Sequence, residues 1–385
     1  MSLPRTKVLL LACGAFVLVA MGAHAQQNEI HVGHISSTTN PASNDNARNL
    51  SFGYQLYFDF INANGGLNGR KLRLVHRDDN LNAGRMVEIT RELIADPGII
   101  ALVGFLNTAG LTEIARQDIL GKSGIAMISP LQGNREIVSA ENMFPFRSGY
   151  EVELRALIEE AKTTHKQRLA IVFMNIAFGP SQARYAEQVA KEFGLGIATY
   201  LGYEVAPDKS EASIREAIVE VEKSRADAVL LVAAGRGAFD FIKGLRATPV
   251  ATIQIYGMSV LQANDLIKFS GLEAAKGVII SQAVPYPFSG VLPVTREFLR
   301  LMQARAQTDQ AINFQTFEGF LGAKITVEAL RRAGPVPTRR KVIDAPKGMG
   351  EFDLGGVSVE YTPTVRNGWR GVDMTIIGSG GRLFK

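Results

Sequence analysis

The sequence predicts an α/β protein built as two doubly wound parallel-sheet lobes joined by a multi-strand hinge. Three observations carry that expectation. Short apolar β-type runs alternate with longer amphipathic stretches, the alternation starts afresh near residue 150, and 385 residues suit two hydrophobic cores better than one. Alternating βα order implies parallel strands with helices on both faces, because each crossover returns the chain to the same end of the sheet.

The chain opens on a segment that belongs to neither lobe. Arg5 and Lys7 precede an apolar run from Val8 to Met21, and Ala23-His24-Ala25 stand before polar Gln26, the pattern of a secretory signal peptide over residues 1–25. The run is shorter than the roughly 18 to 20 residues that a spanning helix needs. Leu10-Leu11-Ala12-Cys13 has the outline of a lipobox, so lipidation of Cys13 stays open as a second reading. Cleavage after Ala25 leaves about 360 residues, removes the one cysteine, and lowers the formal net charge from +5 to +3 through loss of Arg5 and Lys7. The expected product is an exported, cysteine-free protein of the periplasm.

The first lobe follows in order. Residues 30–35 suit a strand; 47–63 carry Leu50, Tyr54, Tyr57, Phe58 and Ile61 at helical spacing and end at Gly65-Gly66. A strand is expected at 71–76, a helix at 83–95 closed by Asp96-Pro97-Gly98, and a buried strand at 99–103, where every residue is apolar. A helix at 108–120 and a strand at 125–128, stopped by Ser129-Pro130, complete the set.

The second set repeats the first: helix 151–162, strand 169–173, helix 181–193, strand 199–205, helix 213–223, apolar strand 228–232, a helix from 238, and strand 252–256. Beyond it lie a strand at 278–282, helices at 294–306 and 314–333, and a glycine-rich β tail from 350 to 377. That tail is too short for a third domain and is expected to complete the two sheets. The chain then crosses between lobes near Phe146, Ser281 and Gly348. This divides it into residues 26–146 plus 282–347 as the first lobe and 147–281 plus 348–385 as the second. Open α/β sheets bind ligands outside the carboxyl ends of their strands, so the cleft between lobes is the place for a site.

Composition removes several classes. One cysteine and five histidines leave little for a metal centre, so neither a metal nor another cofactor is expected. With 42 basic and 37 acidic residues there is no nucleic-acid tail. Gly235-Arg236-Gly237 and Gly378-Ser379-Gly380-Gly381 lack the spacing of a phosphate loop, no nucleophile elbow occurs, and no Ser/His/Asp set stands out, so no enzyme is expected. Asp78-Asp79-Asn80 follows a strand and precedes a helix, which favours turn and capping duty over a metal or catalytic pair. Arg331-Arg332 and Arg339-Arg340-Lys341 read as solvated surface, with a docking contact for a membrane partner as the alternative.

A series of short motifs in order resembles the type I periplasmic solute-binding proteins of ABC importers, in particular their leucine/isoleucine/valine-binding group. The segment from Ile61 to Leu72, INANGGLNGRKL, is similar to that group's helix-to-strand turn, and Val75-His76-Arg77-Asp78-Asp79-Asn80 to the acidic turn after its second strand. Ala101-Leu102-Val103-Gly104 with Thr108, Ile128-Ser129-Pro130 and Phe144-Pro145-Phe146-Arg147 continue the likeness. It spans the mature chain and is clearest between residues 30 and 150.

The resemblance implies a two-lobed clamshell with ligand contacts on both lobes. On the first lobe it points to Thr108 with Asn107 beside it, where a hydroxyl and helix-start N–H groups hold a ligand carboxylate, a role compatible with a plain N-cap. It also points to Leu131 and Gly133, the glycine departing from the usual small hydroxyl residue, so that only its backbone carries over. On the second lobe Phe178 falls where an aromatic closes over ligand, with core packing as the alternative; Tyr286, beyond the second crossing, is a further candidate for the apolar wall. Arg236 lies at an expected strand end, either facing an anion or paired on the surface with an acid. At Ser259, after Tyr256-Gly257-Met258, amino-acid-binding members typically carry an acid for the ligand ammonium. Ser259 supplies no such charge, which disfavours an ordinary α-amino acid and raises a small carboxylate, amide or aromatic acid as candidates.

The function implied is that of a monomeric receptor for a small-molecule ligand, delivering it to an inner-membrane ABC permease without contact with nucleic acid. A clamshell reporting ligand to a signalling partner is the alternative.

Overall fold

The computed structural model describes residues 28–40, 44–305, 312–365 and 368–385, so the signal-peptide and Cys13 expectations lie outside the described residues. The first lobe starts with β1 (Glu29–Ile35), α1 (Asn44–Ala63), β2 (Lys71–Arg77), α2 (Ala83–Ala95), β3 (Ile99–Val103), α3 (Thr108–Arg116), α4 (Ile119–Ser123), β4 (Ala126–Ile128), α5 (Arg135–Val138) and β5 (Met143–Phe144). The single helix expected at 108–120 is two. Asp118 adopts a left-handed φ of 52°, which a continuous α-helix cannot contain, and α4 begins after it.

The second lobe comprises α6 (Tyr150–Thr163), β6 (Arg168–Met174), α7 (Phe178–Glu192), β7 (Gly196–Tyr203), α8 (Ser210–Lys223), β8 (Ala228–Val232), α9 (Gly235–Leu245), β9 (Gln254–Gly257), α10 (Ala263–Ser270), α11 (Leu272–Ala275) and β10 (Ile279–Gln282). Helices α12 (Pro293–Ala304), α13 (Phe314–Arg332) and α14 (Arg339–Lys347) follow, then strands β11 (Gly350–Asp353), β12 (Ser358–Tyr361), β13 (Asp373–Ile377) and β14 (Leu383–Phe384).

The two main sheets share one topology. The first runs β2-β1-β3-β4-β5, all parallel; the second runs β7-β6-β8-β9-β10 in parallel, with β13 antiparallel on β10 and β14 antiparallel on β13. In each, strand order reverses beside the lobe's first strand, which opens a crevice at the carboxyl edge. The apolar runs of β3 and β8 are central in these sheets; β8 is buried at all five residues, as a strand covered on both faces must be.

Helix α13 returns the chain to the first lobe and is buried nearly all round. It meets α1 backbone to backbone: a Cβ on Gly53 would stand 2.1 Å from the Thr316 carbonyl oxygen, and one on Gly319 2.1 Å from that of Leu50. Helix α14 docks beside β3 through Arg339, whose guanidinium donates to the carbonyls of Ile94, Asp96 and Ile99 at 2.8–2.9 Å. Arg339 is therefore a structural clamp and not the solvated cation expected from its basic run, whereas Arg340 is exposed and pairs with Asp344.

The expected β tail divides. Strands β11 and β12 form a hairpin that joins neither main sheet. Its Tyr361 hydroxyl donates to Pro145 O (2.9 Å), and the Gly355 carbonyl accepts from Val294 N (3.0 Å). Next, Gly368 N donates to Pro145 O (3.0 Å) and Trp369 N to Phe146 O (2.6 Å), and the chain enters the second sheet as β13. The chain thus passes between the two main sheets three times: from β5 to α6, from β10 to α12, and between α14 and β13.

Candidate functional site

A cavity of about 340 Å³ lies between the carboxyl edges of the two sheets. The first lobe contributes Asn46 from the start of α1, Leu81, Asn82 and Ala83 after β2, Leu106 to Ala109 after β3, and Leu131 after β4. The second contributes Tyr150 at the start of α6, Met174 at the end of β6 with Ile176, Ala177 and Phe178 after it, Ala234 after β8, and Val260 after β9. Every contributor lies at or beyond a strand's carboxyl end or a crossing, the geometry that doubly wound sheets impose.

Several helices begin at this wall. Asn82 caps α2 by accepting from Arg85 N (2.8 Å), and Asn107 caps α3 by accepting from Gly110 N (3.2 Å). Helices α7 and α9 start at Ala177 and Ala234 with no side-chain cap. The first N–H groups of a helix have no intrahelical acceptor, so the starts of α2, α3 and α9 supply donors and the positive ends of helix dipoles, whereas at α7 the Gly179 N–H already donates to Ile176 O (3.0 Å) and Pro180 has no N–H. None of the residues lining the cavity is charged. The field inside comes from backbone and neutral side chains, and it favours a negative group.

Four of the residues singled out from the sequence line the cavity: Asn107, Thr108, Leu131 and Phe178. The Thr108 hydroxyl accepts from Gln132 Nε2 (3.1 Å), which leaves its proton to donate elsewhere. Phe178 packs edge-on against Tyr150, ring centroids 5.1 Å apart. Its helix starts this early because Gly179 lets the β6–α7 turn close; a Cβ there would meet Met174 O at 1.8 Å.

Gly133, Arg236 and Ser259 stand outside the lining. The Gly133 N–H is taken by Gln132 Oε1 (3.0 Å), and its carbonyl accepts from Tyr150 N (2.9 Å), an approach that a Cβ would block at 2.7 Å. Arg236 is half-exposed, 3.6 Å from Asp240 and stacked 4.5 Å over the Phe269 ring, the surface pairing weighed as its alternative. Tyr286 turns its hydroxyl to Leu383 O (2.8 Å), away from the cavity wall.

Ser259 lies behind the wall in a buried ion cluster. Its N–H and hydroxyl both donate to Glu153 (2.9 and 3.0 Å), its Oγ accepts from Arg147 Nη2 (3.1 Å), and its carbonyl accepts from Gln315 Nε2 (2.7 Å). Ser281 Oγ donates to Glu153 as well (2.7 Å). Arg147 carries two further bonds to Glu318 on α13, so the cluster spans both lobes. Burial opposes the Arg147 charge, but Glu318 and Glu153 outweigh it and raise the guanidinium pKa above its ordinary value; burial pushes the Glu318 carboxyl up despite Arg147. Beside this cluster, burial pushes the Tyr150 phenol up to about 12.

Leu81, Tyr150 and Met174 were not singled out from sequence. A usable signal existed, since each sits at or just beyond a strand end or crossing, but strand ends alone do not say which side chains turn inward.

Two parallel α/β lobes, linked by three crossings and enclosing a small cavity, define a clamshell binding protein. The chain belongs to the periplasmic binding protein family, whose profile matches residues 29–381. It is similar to the Leu/Ile/Val-binding protein of Escherichia coli (strain K12), 22% identical over 317 residues that cover 79% of each chain. Among solved structures it resembles a substrate-binding periplasmic protein from Ralstonia solanacearum, with TM-score 0.86 and 28% identity over 92% of this chain and 99% of that one. The fatty acid ABC transporter substrate-binding protein from Thermomonospora curvata shares the fold at TM-score 0.80 and 20% identity, covering 92% and 91%. No helix among the described residues is long and apolar enough to cross a membrane.

Proposed function

We propose that the protein is the periplasmic solute receptor of an ABC-type importer, closing on a small carboxylic acid with an apolar body and presenting the closed form to an inner-membrane permease. The cavity wall carries this reading: apolar side chains around helix starts, with no charged residue in the lining. A volume of about 340 Å³ suits a small ligand. The acid head docks on the α3 start at Thr108 and Ala109, while Phe178, Tyr150 and Met174 enclose the body.

An α-amino acid fits this wall poorly. Its ammonium needs a carboxylate, and the neighbouring acids Glu153 and Glu318 are already bonded to Ser259 and Arg147. A desolvated, unpaired ammonium costs several kcal/mol. Leu/Ile/Val binding, which names the Escherichia coli relative, and fatty acid transport, which names the Thermomonospora neighbour, are both compatible with this fold, and the uncharged, apolar lining supports the acid reading. For closure we group the β11–β12 hairpin with the first lobe, since its bonds run to Pro145 and Val294. This moves the third crossing from near Gly348 to the segment before β13.

Calorimetric titration and thermal shift with isovalerate, 4-methylvalerate and phenylacetate, against valine and leucine, test the reading. A ligand at 100 times its Kd stabilises by about 2.7 kcal/mol. The deaminated acids are expected to bind more tightly, without being consumed. Tighter binding of valine or leucine overturns the assignment.

A further inference from the structure

We propose that Asp79 is a positioning residue for the cavity, orienting Asn107 and Leu81 while touching no ligand itself. Its carboxylate is wholly buried and ties together the loops that follow three adjacent strands, β1, β2 and β3. Oδ1 accepts from Ser37 Oγ (2.5 Å) and from Leu81 N (3.2 Å), and Oδ2 accepts from Asn107 Nδ2 (2.8 Å).

Each bond has a consequence at the wall. Because Asn107 turns its Nδ2 to Asp79, its Oδ1 faces α3 and caps Gly110 N, which keeps the Thr108 and Ala109 N–H groups at the cavity. A flipped amide would place a donor against the helix start. Asn80 and Leu81 are consecutive non-glycine residues in left-handed conformation, φ 47° and 60°. Bulky residues hold that conformation only where their surroundings require it. Asp78 Oδ1 accepts from Asn80 N (2.7 Å) as Asp79 Oδ1 does from Leu81 N, and Leu81 thereby lines the cavity.

Three donors converge on one side chain, so the position needs a group that only accepts. In Asp79→Asn the amide oxygen can still serve Ser37 and Leu81, but an N–H then faces the Asn107 donor. That substitution severs the Asn107 Nδ2 contact that orients the cap.

The inference rests on reading the cavity as the ligand site, and the test separates the two. Amide hydrogen exchange is followed in the ligand-free protein at Gly110, with β3 amides as internal reference, and isovalerate and phenylacetate are titrated in parallel. Asp79→Asn is expected to speed Gly110 exchange at least tenfold over the β3 amides and to weaken either acid at least tenfold. The double variant Asp79→Asn/Asn107→Asp exchanges donor and acceptor and restores Gly110 protection, a rescue that loss of general stability does not give. If Asp79→Asn does not fold, the double variant is compared with Asn107→Asp alone, which sets two carboxylates together and is expected to protect Gly110 less. Gly110 exchange within twofold of wild type, acceleration spread evenly through β3, or no rescue overturns the proposal. If wild type binds neither acid, the ligand reading fails while the exchange result still decides the role of Asp79.

Discussion

The guanidinium of Arg147 grips the Glu318 carboxylate through two parallel hydrogen bonds, Nε to Oε1 and Nη2 to Oε2, each 2.9 Å long. The arginine stands on the first crossing and the glutamate on α13 of the first lobe, and both are almost fully buried. Truncating Glu318 strips Arg147 of both these bonds and leaves Glu153, 3.9 Å away and already bonded to Ser259, as its buried counter-charge. Glu318→Ala is expected to lower unfolding free energy by about 3–5 kcal/mol in urea titrations. A loss below about 1 kcal/mol would place this pair with the weak surface ion pairs.

Acid sensitivity is expected from His34. Its Nδ1 lies 2.8 Å from Val103 O and its Nε2 2.7 Å from Ser51 Oγ, and burial, with His76 nearby, depresses its pKa to about 3. The folded pKa lies below the unfolded value, so the unfolded chain binds the proton first as pH falls. The neutral-pH contribution is complete above about pH 6.5 and is lost progressively towards pH 3, with about 2 kcal/mol gone by pH 5. Denaturant titrations at pH 7 and pH 5 should show a smaller drop for His34→Gln than for wild type. An unchanged drop assigns the acid sensitivity elsewhere.

Charge in the cavity should set ligand preference. Val260 is buried and lines the wall after β9. Val260→Glu places a carboxylate against the proposed acid site, and phenylacetate or isovalerate affinity should fall at least tenfold, equivalent to about 1.4 kcal/mol. Leucine affinity should rise relative to 4-methylvalerate. Unchanged preference would mean that the ligand head does not sense this wall.

The β6–α7 turn should tolerate no side chain at Gly179. A methyl group 1.8 Å from Met174 O forces the turn apart, and Gly179→Ala is expected to cost about 1–3 kcal/mol or more. Because Ile176 to Phe178 belong to the same turn, ligand affinity should fall with stability. A variant with wild-type melting temperature and affinity refutes the tight-turn account.

Arg236 should be dispensable for binding. It stands outside the cavity lining with Asp240 and Phe269 as partners, and an exposed pair of this type contributes roughly 0–1 kcal/mol. Arg236→Ala is expected to change ligand affinity less than twofold by calorimetry. A larger loss would show that the side chain reaches the ligand on closure.

Periodicity made much of the architecture legible. The apolar runs of β3 and β8, the helical spacing of α1 and the restart of βα order near residue 150 are local patterns, and they anticipated two parallel sheets. Local breaks were harder to see: the left-handed Asp118 that divides α3 from α4 sits inside a stretch with helical composition. The family resemblance pointed to Asn107, Thr108, Leu131 and Phe178, and these line the cavity. Arg236 and Ser259 follow strand ends, yet neither lines the cavity, because sequence order does not say how a side chain turns after the strand.

The amino-acid sequence by itself determined the alternation of elements, the doubling of the sheet and the edge of each sheet at which a cavity forms, since these follow from hydrophobic period and the handedness of βαβ crossovers. Only the tertiary structure decided that Arg147 meets Glu318 at a separation of 171 residues, that Ser259 is engaged by Glu153, and that Asp79 holds Asn107. Those contacts depend on how two lobes and three crossings pack together, and buried polar groups choose partners by position in space, where their hydrogen bonds can be completed away from water.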